Sequence, residues 1–191
     1  MQQFVAIFIE GAWGSLMLRA TGTTILVAAC AYLLGLGLGV LGAVAKLSGV
    51  NWIGWIATAY TTMVRGVPEL LIIYLVFFGG SAAAMTFASW FGHTGRINVS
   101  PFMAGVAAIG TIVGAYATEV IRGAMLAVDV GQIEAARAFG MPRRTRLMRV
   151  TLPQAARHAL PGLGNVWLAT LKQTSLISVV GLVEIMRQAS I

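Results

Sequence analysis

The sequence predicts an all-α membrane protein: a polytopic helical bundle with about four spans present, a fifth expected beyond the end, and one short cytoplasmic helix. Three observations carry this prediction. Of the 191 residues, 58% are hydrophobic and 10% charged, against about 25% charged in an ordinary soluble domain; the mean hydropathy is +0.85. Long uncharged stretches separate the charges: Ala20–Ala45, Leu70–Gly95 and Ile97–Thr118. Seven of the 13 Lys and Arg fall between Arg122 and Arg157, an asymmetry that membrane topology produces.

A helix needs about 20 apolar residues to cross the hydrocarbon. Spans are therefore predicted over Thr21–Ala45, Thr61–Gly80 and Pro101–Ile121. The second starts before its uncharged run, so Arg65 and Glu69 fall in its first turns. A fourth, Leu160–Val183, carries Pro161, Gly162, Gly164 and Lys172. Polar residues inside a span are costly and turn towards protein or water, so this span is expected to face the protein interior. Met1–Arg19 either lies along the outer interface, with Phe4, Ile7, Phe8 and Trp13 as its apolar face, or continues the first span. Gly35 and Gly39, and Gly110 and Gly114, have the spacing that lets helix backbones approach; packing within the chain is the preferred reading over a dimer face. No soluble domain, low-complexity run or internal repeat is apparent, and residues 1–191 read as a single transmembrane domain with a loop at about 123–157.

The Arg122–Arg157 loop holds only two acids, Asp129 and Glu134, whereas the Gly80–Ser100 loop holds one cation, Arg96. Positive-inside bias places the first loop in the cytoplasm and the second outside. Counting back, Lys46–Arg65 is cytoplasmic and the N-terminus is outside. The net charge of +7 thus reflects topology and anionic lipid; no nucleic-acid partner is expected. Cys30 is the only cysteine, which excludes an intrachain disulfide and a thiolate metal cluster. His93 and His158 lack ligand spacing, so neither a metal site nor a catalytic residue is predicted. The first charge is Glu10; without a basic leading region, no cleavable signal peptide is expected.

The loop predicts a short capped helix. Asp129 can accept N–H bonds at its start, with Gln132 three residues on as in a capping box. Ala135, Ala136 and Ala138 favour helix and add little bulk. Gly140 suits a left-handed terminating position, and Pro142 blocks continuation. The same segment, Glu134-Ala135-Ala136-Arg137-Ala138-Phe139-Gly140, is followed after nine residues by Val150-Thr151-Leu152-Pro153. This resembles the EAA motif of ATP-binding-cassette (ABC) importer permeases, departing only in Val150, where the pattern has Ile.

The likeness extends along the chain. Arg65-Gly66-Val67-Pro68-Glu69-Leu70, Gly114-Ala115-Tyr116-Ala117-Thr118-Glu119, Leu160-Pro161-Gly162-Leu163-Gly164-Asn165 and Leu171-Lys172-Gln173-Thr174-Ser175-Leu176 resemble segments of polar amino acid permeases. The nearest likeness is to those moving histidine, lysine, arginine and ornithine, or opines, in bacteria. Such permeases have five spans, whence the fifth expected here. The resemblance implies a multi-pass permease of the bacterial cytoplasmic membrane. It also implies that Glu134 and Gly140 orient a coupling helix whose Arg137 and Phe139 contact an ABC ATPase dimer. A second permease subunit, similar or identical, and an extracytoplasmic solute-binding protein complete the expected assembly. The chain has no G-x-x-x-x-G-K-[ST] phosphate loop, so the ATPase partner would bind ATP-Mg and this chain would need no cofactor of its own. A membrane enzyme and a channel or secondary transporter are the competing classes; neither has a motif here.

Glu69, Glu119 and Glu184 lie in or near spans, where an acid is by default a functional hypothesis. Glu69 follows the helix-bending Pro68 and could receive a basic cargo side chain. Glu119 stands three residues before Arg122, a local ion-pair spacing; pairing is preferred over pathway lining. Lys172 and Arg65 are expected as counter-ions to the acids. Arg65, Pro68, Glu69, Glu119 and Lys172 thus form the candidate substrate pathway. Tyr60, Tyr74 and Tyr116 are read as interfacial belts, with pathway lining as the alternative.

Overall fold

The computed structural model describes residues 13–90, 100–182 and 185–189, and every regular element among them is helical. The first helix, α1, runs Trp13–Leu47, about 50 Å at 1.5 Å per residue. It starts well before the predicted Thr21, so over Trp13–Arg19 the chain continues the span instead of lying apart from it. The polar residues there do not interrupt it because the helix absorbs them. Thr21 and Thr24 donate their hydroxyls to the Met17 and Ala20 carbonyls at 2.8 and 3.0 Å, as hydroxyls in membrane helices do. The rest of the expected interfacial segment, 1–12, lies outside the described residues, as do His93, Arg96 and Glu184.

Helix α2 is Asn51–Gly66 and α3 is Glu69–Tyr74; a π-helical turn, Leu75–Gly79, joins α3 to α4, Gly80–Trp90. The predicted Thr61–Gly80 span is therefore not one helix. Thr61 and Arg65 end α2, whereas Glu69 opens α3, and Asn51–Gly66 meets Glu69–Ala83 at 112°. Pro68 supplies the reason: it lacks an N–H and drives the preceding residue out of the helical region. Val67 is accordingly extended, at φ −106° and ψ 140°.

Helix α5, Pro101–Leu126, extends the predicted third span past Ile121. A short connection leads to α6, Val130–Ala138; then come α7, Arg143–Arg146, a π turn Leu147–Thr151, and α8, Leu152–Gln173. A 3₁₀ segment, Thr174–Val180, and α9, Ile185–Ala189, follow. The fourth predicted span thus begins at Leu152 rather than Leu160, accepts Pro161 inside the helix and tightens after Gln173. Among the described residues, α1 and α5 are long and apolar enough to cross a membrane; α2 with Glu69–Ala83 makes a third if the bent pair is one span. Helix α8, with Arg157, His158 and Lys172, does not reach that apolarity, so among the described residues two or three candidate spans are present where the sequence predicts four. The inward contacts of α8 include the Tyr32 hydroxyl donating to the Leu163 carbonyl at 3.0 Å and Tyr32 meeting Trp167 edge-on at 5.2 Å.

The core sits between α1 and α5, with Val27, Ala31, Ile73, Ile109, Val113 and Ile177 buried together. Glycine lets the two long helices close on each other. A Cβ on Gly39 would lie 2.5 Å from the Ala117 Cβ, and one on Gly110 would lie 2.7 Å from Leu34 Cδ2 and 3.3 Å from the Ala31 carbonyl oxygen. Both predicted glycine pairs therefore pack within the chain. Gly37 faces open space. We expect Gly39→Ala to lower stability by about 1–3 kcal/mol through overpacking, and Gly37→Ala to be neutral or slightly stabilising because alanine favours helix. Thermal unfolding of the two purified variants compares them directly.

Candidate functional site

Two features stand out: a knob and a polar cavity. The knob is α6. Asp129 accepts from the Gly131 N–H at 2.6 Å, closing the start as expected. Gln132 does not complete a capping box. Its carbonyl oxygen instead accepts from the Gln154 amide of α8, which ties the knob to the bundle. The far end is closed twice over: the Gly140 N–H donates to the Arg137 carbonyl at 2.9 Å and the Met141 N–H to the Ala136 carbonyl at 3.1 Å. Gly140 sits at φ 71°, the left-handed position this paired closure needs. Glu134, Ala135, Arg137 and Phe139 are exposed, and Phe139 keeps 85% of its surface free. Ala136 is buried, so it acts in packing, whereas Ala135 on the same helix is exposed. A fully presented phenylalanine on a rigid two-capped helix is a surface suited to a partner's pocket.

Two chambers share Tyr116 in their walls. The larger, of about 830 Å³, opens between α1, α2 and α5 and is lined by Lys46, Thr61, Arg65, Tyr116, Glu119 and Arg122, among others. Lys46 donates to Glu119 and, at 2.7 Å, to the Thr61 hydroxyl. Arg122 donates to the other Glu119 oxygen, with contacts of 2.9 and 3.0 Å. The pairing expected between Glu119 and Arg122 is present, and Glu119 also lines the cavity. The smaller chamber, of about 320 Å³, is lined by Glu69, Val113, Tyr116, Asn165, Val166 and Gln173, with Ala169. Here the Gln173 amide donates to Glu69 at 2.7 Å. Gln173 is only 7% exposed, yet its carbonyl oxygen has no hydrogen-bond partner. A buried acceptor left open costs about 1–3 kcal/mol, but that oxygen is sealed from solvent, so the acceptor in the chamber wall is the Glu69 carboxylate.

Several expectations are corrected here. Lys172 is exposed and pairs with neither acid; the next residue, Gln173, faces Glu69 instead. One residue turns a helix face by about 100°, and hydropathy does not resolve that phase. Arg65 is not a counter-ion either: its guanidinium carbon lies 5.3 Å from the Tyr116 ring centroid. Lys46 takes the counter-ion role because α1 and α5 pack closely at that end. Tyr116 lines both chambers and the Tyr60 hydroxyl donates to the Thr111 carbonyl at 2.6 Å, so neither forms a belt. Tyr74 stacks on Phe78. Pro68 acts through the bend.

Lys46 holds three helices together, which makes a prediction. Lys46→Met leaves Glu119 with Arg122 alone and should lower stability by about 1 kcal/mol or more, the contribution of a charge-assisted hydrogen bond. Adding Glu119→Gln should cost less than the sum of the two single losses, because the two side chains share one interaction. Chemical or thermal unfolding of the single and double variants reads the coupling.

The chain is thus a helical bundle with long apolar helices, a charged cavity between α1, α2 and α5, and a short exposed helix between α5 and α8. Residues 31–191 match the family described as "Binding-protein-dependent transport system inner membrane component". The nopaline transport system permease protein NocQ of Agrobacterium fabrum is 57% identical over 182 residues, covering 95% of this chain and 77% of that protein. The histidine/lysine/arginine/ornithine transport system permease protein HisQ of Escherichia coli is 39% identical over 175 residues, covering 92% and 76%. The crystal structure of an amino acid ABC transporter with histidines superimposes with a TM-score of 0.80 at 32% identity, over 93% of this chain and 78% of that one. The chain belongs to the binding-protein-dependent transport inner membrane components, the permease subunits of ABC importers.

Proposed function

We propose that this permease carries a basic amino acid such as histidine, arginine, lysine or ornithine, or an opine built on one, driven by an ATPase seated on α6. The observation that carries the cargo reading is the Glu69 carboxylate in the wall of the smaller chamber. A carboxylate there suits a guanidinium or ammonium group, which offers several N–H donors and a compensating charge. The cargoes named for the nopaline and histidine/lysine/arginine/ornithine permeases agree with that chemistry.

In this reading, Glu134, Ala135, Arg137 and Phe139 enter a cleft of the ATPase dimer, and Gly140 ends the helix so that Phe139 is held at its tip. The ATPase binds ATP-Mg; closure of its two halves moves α6, and α5 with it, because only 127–129 separate them. An extracytoplasmic solute-binding protein delivers cargo to the opposite face, and a second permease subunit completes the pathway. The loop bearing α6 is cytoplasmic and the N-terminus is outside. The exposed Arg143, Arg144 and Arg149 beside Leu147 and Met148 suit lipid headgroups at that surface. The test is reconstitution of the importer with its receptor and ATPase, followed by competition of labelled arginine uptake with neutral, acidic and basic amino acids. Competition confined to basic compounds supports the reading; equal competition by neutral amino acids rejects it.

A further inference from the structure

Helix α2 is bounded by a break in the helical backbone at each end. Gly49 precedes it at φ 73°, and the extended Val67 with Pro68 follows it before the 112° turn into α3. Between these breaks α2 buries two of its 16 residues, Ala57 and Thr61, whereas α5 buries twelve of 26. Trp52, Trp55 and Met63 are exposed. An element with so few buried apolar contacts lies at the low end of local stability, and short breaks flanking a segment are where hinge motions are absorbed.

Polar contacts hold α2 to its neighbours. The Tyr60 hydroxyl donates to the Thr111 carbonyl at 2.6 Å, in a notch that exists because residue 114 is glycine: a Cβ there would lie 2.7 Å from that hydroxyl. Lys46 donates to the Thr61 hydroxyl at 2.7 Å, and Arg65 lies over the Tyr116 ring. Lifting α2 would strand neither Lys46 nor Glu119, because these two stay paired and Glu119 also keeps Arg122. The larger chamber lies directly beneath, taking Gly54, Thr58 and Thr62 of α2 into its wall.

We propose that α2 is a hinged flap on the larger chamber, latched by Tyr60 in the Gly114 notch, and that it lifts and reseats in the transport cycle. Helix α5 carries the notch and runs on to α6 through 127–129, so a displacement of α6 reaches the latch along one helix. The link to the ATP cycle rests on the reading of α6 as the ATPase seat; the flap itself does not.

The experiment uses the purified complex of permease subunits and ATPase in detergent, in a Cys30→Ser background. Ala57→Cys puts a thiol on the buried side of α2, where the native residue is 7% exposed. Ala108→Cys, in the core between α1 and α5, is the reference. Maleimide should label the Ala57→Cys thiol slowly. Tyr60→Phe should speed that reaction about 3- to 10-fold, the factor for one hydrogen bond lost from the seated state, with Ala108→Cys unchanged. Trapping ATP with vanadate should shift the Ala57→Cys rate by about threefold or more. Equal acceleration at both thiols would mean that Tyr60 serves the fold, and no acceleration at Ala57→Cys would mean that there is no latch; either overturns the proposal. Hydrogen exchange of the unaltered complex needs no substitution: the amides of 53–64 should exchange as a group ahead of those of α5, and protection equal to that of α5 overturns the flap. If the ATPase shields a Phe139→Cys thiol while the Ala57→Cys rate ignores nucleotide, the flap has no part in the cycle and the proposal falls with the α6 reading intact. An unshielded Phe139→Cys thiol instead removes the α6 reading, and with it the proposed link to the ATP cycle.

Discussion

Replacing Gly140 with valine is expected to abolish ATP-driven uptake while leaving the membrane bundle assembled. Gly140 is at φ 71°, where a β-branched side chain is strained by about 1–2 kcal/mol or more. The strain falls on the two hydrogen bonds that end α6, from Gly140 to Arg137 and from Met141 to Ala136. The cheapest relief is to unwind the last turn, which moves Phe139 and Arg137 out of register with any partner cleft. Loss of one well-seated aromatic contact of about 2–4 kcal/mol is about 30- to 1,000-fold in occupancy. Uptake in proteoliposomes should therefore fall by at least that lower factor, with ATPase no longer stimulated by loaded receptor. Gly140→Asn is the control, because asparagine tolerates the left-handed region, and it should keep most of the activity. Full stimulation in the valine variant would show that α6 is not the lever.

Glu69→Gln is expected to produce the second large effect, on cargo and not on assembly. The substitution keeps the shape, keeps the hydrogen bond from Gln173 when the new amide turns its oxygen to it, and removes the negative charge. Hydrogen bonds to charged groups contribute about 1.5–3 kcal/mol, which predicts a loss of arginine uptake of about 10- to 150-fold at subsaturating cargo. Basal ATPase and co-purification of the ATPase should not change, because Glu69 lies in α3, apart from the knob. Uptake equal to that of the unaltered permease would remove Glu69 from the pathway.

How much of this was legible in the sequence follows the range of each interaction. The knob was readable because its determinants are local: Asp129 at one end, Gly140 at the other, and Phe139 beside it. Glu119 with Arg122 was readable for the same reason. Long-range pairing was not. Lys46 lies 73 residues from Glu119, and nothing in the sequence near either residue announces the other. Gln173 was missed in favour of its charged neighbour Lys172, because charge draws notice and helix phase decides contact. Gln132 fits the capping-box pattern, yet Gln154 competes for its oxygen from another helix. Pro68 announced a bend, but the 112° angle that parts Arg65 from Glu69 depends on how α2 and α3 pack against α5. The uncharged runs located the spans and mis-set their ends, since α1 and α8 continue through residues whose polar groups the helix or its neighbours satisfy.

Coupling through α6 requires its tip to face the ATPase side of the membrane, and the single cysteine of the chain makes that measurable. In a Cys30→Ser background, Phe139→Cys places one thiol at the tip. A membrane-impermeant maleimide should label it in inside-out vesicles, not from the outer face, and the ATPase should protect it, since the wild-type residue is 85% exposed and would enter the partner's cleft. Labelling from the outer face, or equal labelling with and without bound ATPase, would contradict the account.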